Sequence, residues 1–336
     1  MMNVSAEQLE IDRLYAIGEQ IFAYLGLIIL ILGTVGNSLN LIVFARLDSL
    51  KTLASSLFLL VSSIASQTVL TIGLSTRVIR GFSGTDPVHT SVMFCKIRWT
   101  IRTIANATSL TCVCLAALDR YLFSCHNVRR HGWITMKRAR LAILISILFW
   151  TGVFSSYGVY YAAPKPNSCL IADPVFAYVA SYFNLLHYSL LPLTILTTFC
   201  FLTWRNLGQQ PTTFLRGGTR LYDQVTRMLV AQTGGILITS TPNMIWQIYS
   251  VSTKTVQKNP MRQSRENLFN TLCVLVGFST HAVTFYTYYI GSPTFRKNIH
   301  DTVCKGRRIA PAQVIERSKV DMSQSELHSA ITIQKY

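Results

Sequence analysis

Of the chain's 336 residues, half are hydrophobic and only 13% are charged, with a formal net charge of +17 and a mean hydropathy of +0.35. Soluble domains carry about 25% charged residues, so this composition excludes a pair of ordinary soluble domains. Nucleic acid is a poor match for the positive charge, because Lys and Arg lie in connections between apolar runs rather than on one amphipathic face.

Residues 1–20 contain Glu7, Glu10, Asp12 and Glu19 and no apolar stretch with a cleavage site, so they are not a cleaved signal peptide. Asn3 opens the glycosylation sequon Asn3-Val4-Ser5. Seven runs without Lys, Arg, Asp or Glu follow: 22–44, 52–76, 103–118, 141–164, 174–204, 228–253 and 267–295. A bilayer core needs about 20 apolar residues wound as a helix. Six runs meet that length, and the third does so only if Lys96, Arg98 and Arg102 share its helix. The fold class expected is an all-α membrane protein, a seven-transmembrane helix bundle over residues 21–292. A second sequon, Asn106-Ala107-Thr108, falls inside the third span and should be unmodified. The connection 205–220, with Gly208, Pro211, Gly217 and Gly218, reads as irregular. Ser292-Pro293 opens an amphipathic segment, 293–310, carrying Phe295, Ile299 and Val303 among basic residues: a short eighth helix on the inner leaflet. Residues 311–336 read as a disordered cytoplasmic tail, with Ser318, Ser323, Ser325, Ser329 and Thr332 as candidate phosphorylation sites.

Lys and Arg divide 17 against 8 between the two sets of connections, or 17 against 11 if Lys96, Arg98 and Arg102 join the poorer set. Positive-inside bias therefore places the N-terminus outside and the C-terminus in the cytoplasm. On that topology only Cys95 and Cys169 face the oxidising side, and a bond between them would tie the loop between spans four and five over the mouth of the bundle. Cys304, after the amphipathic segment, is a palmitoylation candidate. No Cys/His spacing resembles a metal site, and no nucleophile, phosphate loop or cofactor motif suggests an enzyme.

At the inner end of span three stands Leu118-Asp119-Arg120-Tyr121, with Cys95 25 residues before Arg120. Gly36-Asn37, Trp150, Pro192 and Pro242 occupy spans one, four, five and six, and Tyr288 with Phe295-Arg296 closes the seventh. In this order the chain resembles the rhodopsin-like G-protein-coupled receptors over about residues 20 to 305. The resemblance implies a plasma-membrane receptor that passes ligand binding to heterotrimeric G proteins, with arrestin as a further candidate partner. It assigns Asp119, Arg120, Tyr121, Pro242 and Tyr288 to activation. Independently of the family, Asp119 and Arg120 at that depth need a partner each, and their pairing is a removable latch biased by whatever binds at the far end. The pattern in span seven looks closest to invertebrate receptors of the FMRFamide type.

Departures from the family pattern are specific. Ser66 stands where span two has an Asp, Ser240 where span six has a Trp, and Thr284-Phe285 where span seven has Asn-Pro. Without the carboxylate, the family's sodium site loses its charged ligand, so no sodium effect is expected. These losses leave a non-signalling decoy as an alternative. A transporter or channel fits less well, since mid-span ionisable residues are confined to His187 and His281.

For the ligand, Arg102 and Arg98 lie one turn apart on span three, and Arg77, Arg80, Arg262 and Arg265 add charge at the mouth. Such a cluster attracts anions, and the expected ligand is a short peptide or small anion. Asn106, Asn184, His187, Asn243, Trp246, Gln247 and Asn270 share the depth of Arg102 and complete the candidate ligand set.

Overall fold

The computed structural model describes residues 2–46, 53–85, 91–125, 134–162, 169–208 and 220–300. Cys304, the tail 311–336, most of the connection 205–220 and the amphipathic segment beyond 300 lie outside them, as does the side chain of Asn3.

Seven helical columns form the bundle. Span one is Met2–Arg46; span two runs Ala54–Thr68, a π-helical stretch Val69–Leu74, then Ser75–Ser83; span three is Val92–Ser124 and span four Met136–Tyr160. Span five runs Pro174–Leu185, a second π-helical stretch Leu186–Leu190, then Leu191–Gly208; span six is Arg220–Ser252. Span seven is Pro260–Ala282 with Thr284–Gly291, and a short helix, Pro293–Ile299, follows it. Spans one to five are long and apolar enough to cross a bilayer, as is span seven when its halves, bent by 55°, are taken together. Span six is charge-free over 228–253 but less apolar, because Gln232, Thr233, Asn243 and Gln247 interrupt it. Large apolar side chains such as Leu148, Ile238 and Ile290 point outward with 62%, 76% and 76% of their surface exposed. An apolar exterior of that extent requires lipid.

Local signals set the helix starts. Ser91, Thr135, Asp173, Asn259 and Ser292 each accept a backbone N–H two or three residues on, satisfying donors that the first turn leaves free. Pro174, Pro260 and Pro293 follow three of these caps, where a missing N–H costs nothing. Gly84 ends span two in the left-handed region, φ 70°, with its N–H on the Arg80 carbonyl. The π-helical stretch in span five directly precedes Pro192, whose ring crowds the preceding turn and removes a donor.

Span one, 45 residues long, reaches roughly 67 Å at 1.5 Å per residue and so extends well past a bilayer core. Its projecting turns dock on span seven: Ile11 is buried, its carbonyl accepts from Ser264, and Tyr15 accepts from Asn267 at 2.8 Å. Ion pairs Glu10–Arg265 (3.2 Å) and Glu19–Arg80 (3.0 Å) flank this seam.

A disulfide joins Cys95 to Cys169 with Cα atoms 6.0 Å apart. Beside it β1 (Tyr161–Ala162) and β2 (Leu170–Ile171) pair antiparallel, Tyr161 opposite Ile171. Trp99 stacks on Tyr161 at 5.0 Å, so covalent, backbone and aromatic links all fix the loop to span three. Replacing both cysteines by Ser should lower the thermal-unfolding midpoint of the purified protein, since such a bridge contributes about 2–5 kcal/mol. An unchanged midpoint would mean that the strands and the ring stack hold the loop unaided.

Candidate functional site

Toward the disulfide end, spans three, five, six and seven enclose a cavity of ≈350 Å³. Arg102 and Asn106 line it from span three, Asn184 and Tyr188 from span five. Asn243, Trp246 and Gln247 do so from span six, Asn270, Phe278 and His281 from span seven. Helical spacing accounts for the convergence: Arg102 with Asn106, and Asn243 with Gln247, are one turn apart and face the same way. Pro242 is interior to span six, and the residues flanking this break in the hydrogen-bond ladder, Ser240 and Asn243, face the cavity.

Arg102 is the only Lys, Arg, Asp or Glu among the residues lining the cavity. Its guanidinium carbon lies 4.9 Å from the Trp99 ring and 5.3 Å from the Phe278 ring, within cation–π range. The side chain passes over Gly73, where a Cβ would come 2.9 Å from Arg102 Cδ and 3.1 Å from Nε. Glycine is therefore what admits the arginine. The buried Nε has no hydrogen-bond partner, and among the described residues no carboxylate pairs with Arg102.

The other basic residues at this end differ. Glu19 pairs with Arg80 and Glu10 with Arg265, while Glu266 takes both Arg262 (2.9 Å) and Lys258 (2.5 Å). Lys96 donates to the Val159 carbonyl. Lys254 donates to the Ala177 carbonyl and Ser181, and desolvation lowers its pKa. Three carboxylates thus answer part of the basic charge at the mouth, while Lys96 and Lys254 are held by neutral oxygens. Asp173 is occupied as a helix cap and does not meet Arg98 or Arg102.

Two expected ligand residues do not line the cavity. Arg98 turns toward span two, where its Nε donates to the Ile72 carbonyl (3.3 Å) and Thr76 hydroxyl (2.8 Å) and its Nη2 to the Gly73 carbonyl (2.9 Å). Both carbonyls also accept from the Thr76 hydroxyl, and a buried carbonyl needs a donor. His187 is buried within an aromatic cluster, its ring 4.1 Å from Trp150 and 5.6 Å from Phe183. The cavity also uses residues not anticipated from sequence: Tyr157, which donates to Asn184 at 3.0 Å, together with Tyr188, Phe278 and His281.

Below the cavity a compact polar cluster joins spans two, three and seven. His281 Nδ1 lies 3.1 Å from Ser66 Oγ, and Ser109 Oγ lies 2.9 Å from Ser66 and 3.0 Å from Ser62. Asn37 of span one donates to the His281 carbonyl at 3.1 Å. These groups are neutral oxygens and an imidazole, a donor set without the charge a hard cation requires. Exchanging sodium for choline at constant ionic strength should leave the protein's unfolding midpoint unchanged; a sodium-specific rise would contradict this.

At the opposite end Arg120, 4% exposed, pairs with Asp119 of its own helix. Tyr121 stacks on Phe199 of span five at 5.5 Å. Tyr288, fully buried against Phe44 and Phe295, donates to Gln232 of span six at 2.6 Å. This bond ties span six to span seven near the Arg120 end, a connection that sequence reading did not supply. Tyr288→Phe strands the Gln232 amide and should destabilise by about 1–3 kcal/mol, whereas adding Gln232→Leu should restore part of that loss. Strictly additive losses in the double-mutant cycle would show that the two side chains are not coupled.

A family model described as "7 transmembrane receptor (rhodopsin family)" matches residues 36–283. No curated protein matches the chain. With seven helical columns, the Cys95–Cys169 bridge and Asp119-Arg120-Tyr121 in place, the chain belongs to the rhodopsin family of seven-transmembrane receptors.

Proposed function

We propose that this receptor binds an extracellular ligand through an anionic group on Arg102 and passes the event to a heterotrimeric G protein at Arg120. Receptor signalling follows from the family; the ligand class rests on one observation. Arg102 faces the cavity with aromatic rings around it and, among the described residues, no carboxylate beside it. A charge in such surroundings is stabilised by an opposite charge that arrives with a ligand. The disulfide supports a reading in which the cavity opens on the oxidising, extracellular side of the plasma membrane, with the N-terminus on that side and Arg120 toward the cytoplasm, where arrestin is a further candidate partner. The likeness in span seven to peptide receptors favours a short peptide as the ligand source, with the anion supplied by an acidic side chain or a free C-terminus. An amidated C-terminus would bring no charge to Arg102.

The route inward runs from His281 through Ser66 and Ser109 to span three, and along span seven to Tyr288 and Gln232. Pro242 gives span six the break in its ladder about which it can swing. A decoy receptor would retain the cavity and lack this response.

Acidic and amidated peptide pools should be screened in cells with G-protein activation as the readout. Arg102→Glu is expected to abolish the response to any activating pool, a loss of at least a hundredfold in potency. Arg120→Ala should abolish G-protein activation while leaving ligand binding within about threefold. Potency indifferent to Arg102→Glu would overturn the ligand assignment. Binding without activation in the unmodified receptor would favour the decoy.

A further inference from the structure

The cavity specifies more than a negative charge. Among the described residues its lining holds one guanidinium and no carboxylate, so a bound monoanion balances it and a ligand ammonium would find no described counter-charge beside Arg102. A doubly charged phosphate calls for more cationic donors than one arginine offers, whereas a carboxylate matches the planar guanidinium with two parallel hydrogen bonds. In the same lining, on span six, the Gln247 side-chain oxygen is buried without a hydrogen-bond partner. A buried acceptor left unpaired is costly, so the complementary ligand carries an N–H or O–H at that point. Trp99, Trp246 and Phe278 also line the cavity, and aromatic surface suits an apolar side group. The volume, ≈350 Å³, sits near the lower end of small-molecule sites, about 300–1,000 Å³.

We infer that the cavity recognises a carboxy-terminal N-acyl amino acid unit: its free carboxylate on Arg102, its amide N–H on Gln247, and an aromatic or large apolar side group against Trp99, Trp246 and Phe278. The unit is either the free-acid end of a peptide or a small N-acyl amino acid. The inference rests on Arg102 being the anion site and adds the neighbouring donor, the side group and the discrimination against amidated ends.

The test uses the purified full-length receptor, without G protein, and reads binding by ligand-induced thermal stabilisation. The probes are N-acetyl-phenylalanine, N-acetyl-phenylalaninamide and phenyl phosphate, with tetrapeptide pools ending in phenylalanine as free acid or amide. The acid is expected to bind at least tenfold more tightly than its amide. Arg102→Gln should reduce that ratio to near one, and Arg102→Lys, which keeps the charge, should preserve part of it. Gln247→Leu should weaken acid and amide alike by about tenfold. Acid-ended tetrapeptides binding more tightly than N-acetyl-phenylalanine would identify a peptide source, and equal affinity a small molecule. Equal binding of acid and amide, or a preference that survives in Arg102→Gln, overturns the inference. Arg102-dependent binding of phenyl phosphate alone also overturns it, while leaving the anion site standing. Failure of all the acetylated and acid-ended probes overturns it as well.

Discussion

A charge placed at membrane depth must be compensated, and that cost arranges this molecule. Asp119 compensates Arg120 on the same helix, and backbone carbonyls of span two compensate Arg98. Projecting acidic residues compensate the rim: Glu10, Glu19 and Glu266 hold Arg265, Arg80 and the Arg262–Lys258 pair. Exposed pairs of this kind contribute little stability individually, but they fix where the remaining positive potential lies. Within the cavity lining it comes from Arg102. The same packing that holds Arg102 there, with Gly73 beneath and Trp99 and Phe278 beside it, presents its polar edge to a ligand.

At three positions the chain departs from the family pattern. Ser66, Ser240 and Phe285 replace a carboxylate, an indole and a proline, yet the geometry around each position is organised. Ser66 is bonded to His281 and Ser109. Ser240 donates back to the Ile236 carbonyl of its own helix. Span seven still bends by 55° although Phe285 retains an N–H; Val283, with ψ −12°, interrupts the helix between Ala282 and Thr284, and Asn37 takes up the His281 carbonyl at the break. The bend thus lies between the cavity residue His281 and the buried Tyr288–Gln232 bond. A displacement of His281 by ligand would act directly on the hinge that positions Tyr288.

Much of the architecture was legible because lipid imposes a coarse rule. Charge-free runs have to be spans, and two cysteines on the oxidising side have few alternatives to each other. The shared depth of Arg102, Asn106, Asn243, Gln247 and Asn270 followed from helical rise alone. Side-chain direction did not. Arg98 lies one turn from Arg102 but donates to carbonyls of the π-helical stretch in span two, and no signal in Val69–Leu74 announces that register. His187 shares its level with Asn184 yet packs inward against Trp150, because helical position fixes depth better than which neighbour is met. Docking of the first helix on span seven depends on pairs such as Glu10–Arg265, more than 250 residues apart. Tyr288 was identified as an activation residue, whereas its partner Gln232 read only as a polar interruption of span six.

The most direct test of the account is an experimental structure of the receptor bound to a ligand that activates it. The account predicts an acidic group of that ligand within hydrogen-bonding distance of the Arg102 guanidinium, between Trp99 and Phe278, with no carboxylate of the chain drawn in. An Arg102 paired to a glutamate or aspartate of its own chain, or turned out toward lipid headgroups while the ligand sits elsewhere, would contradict it.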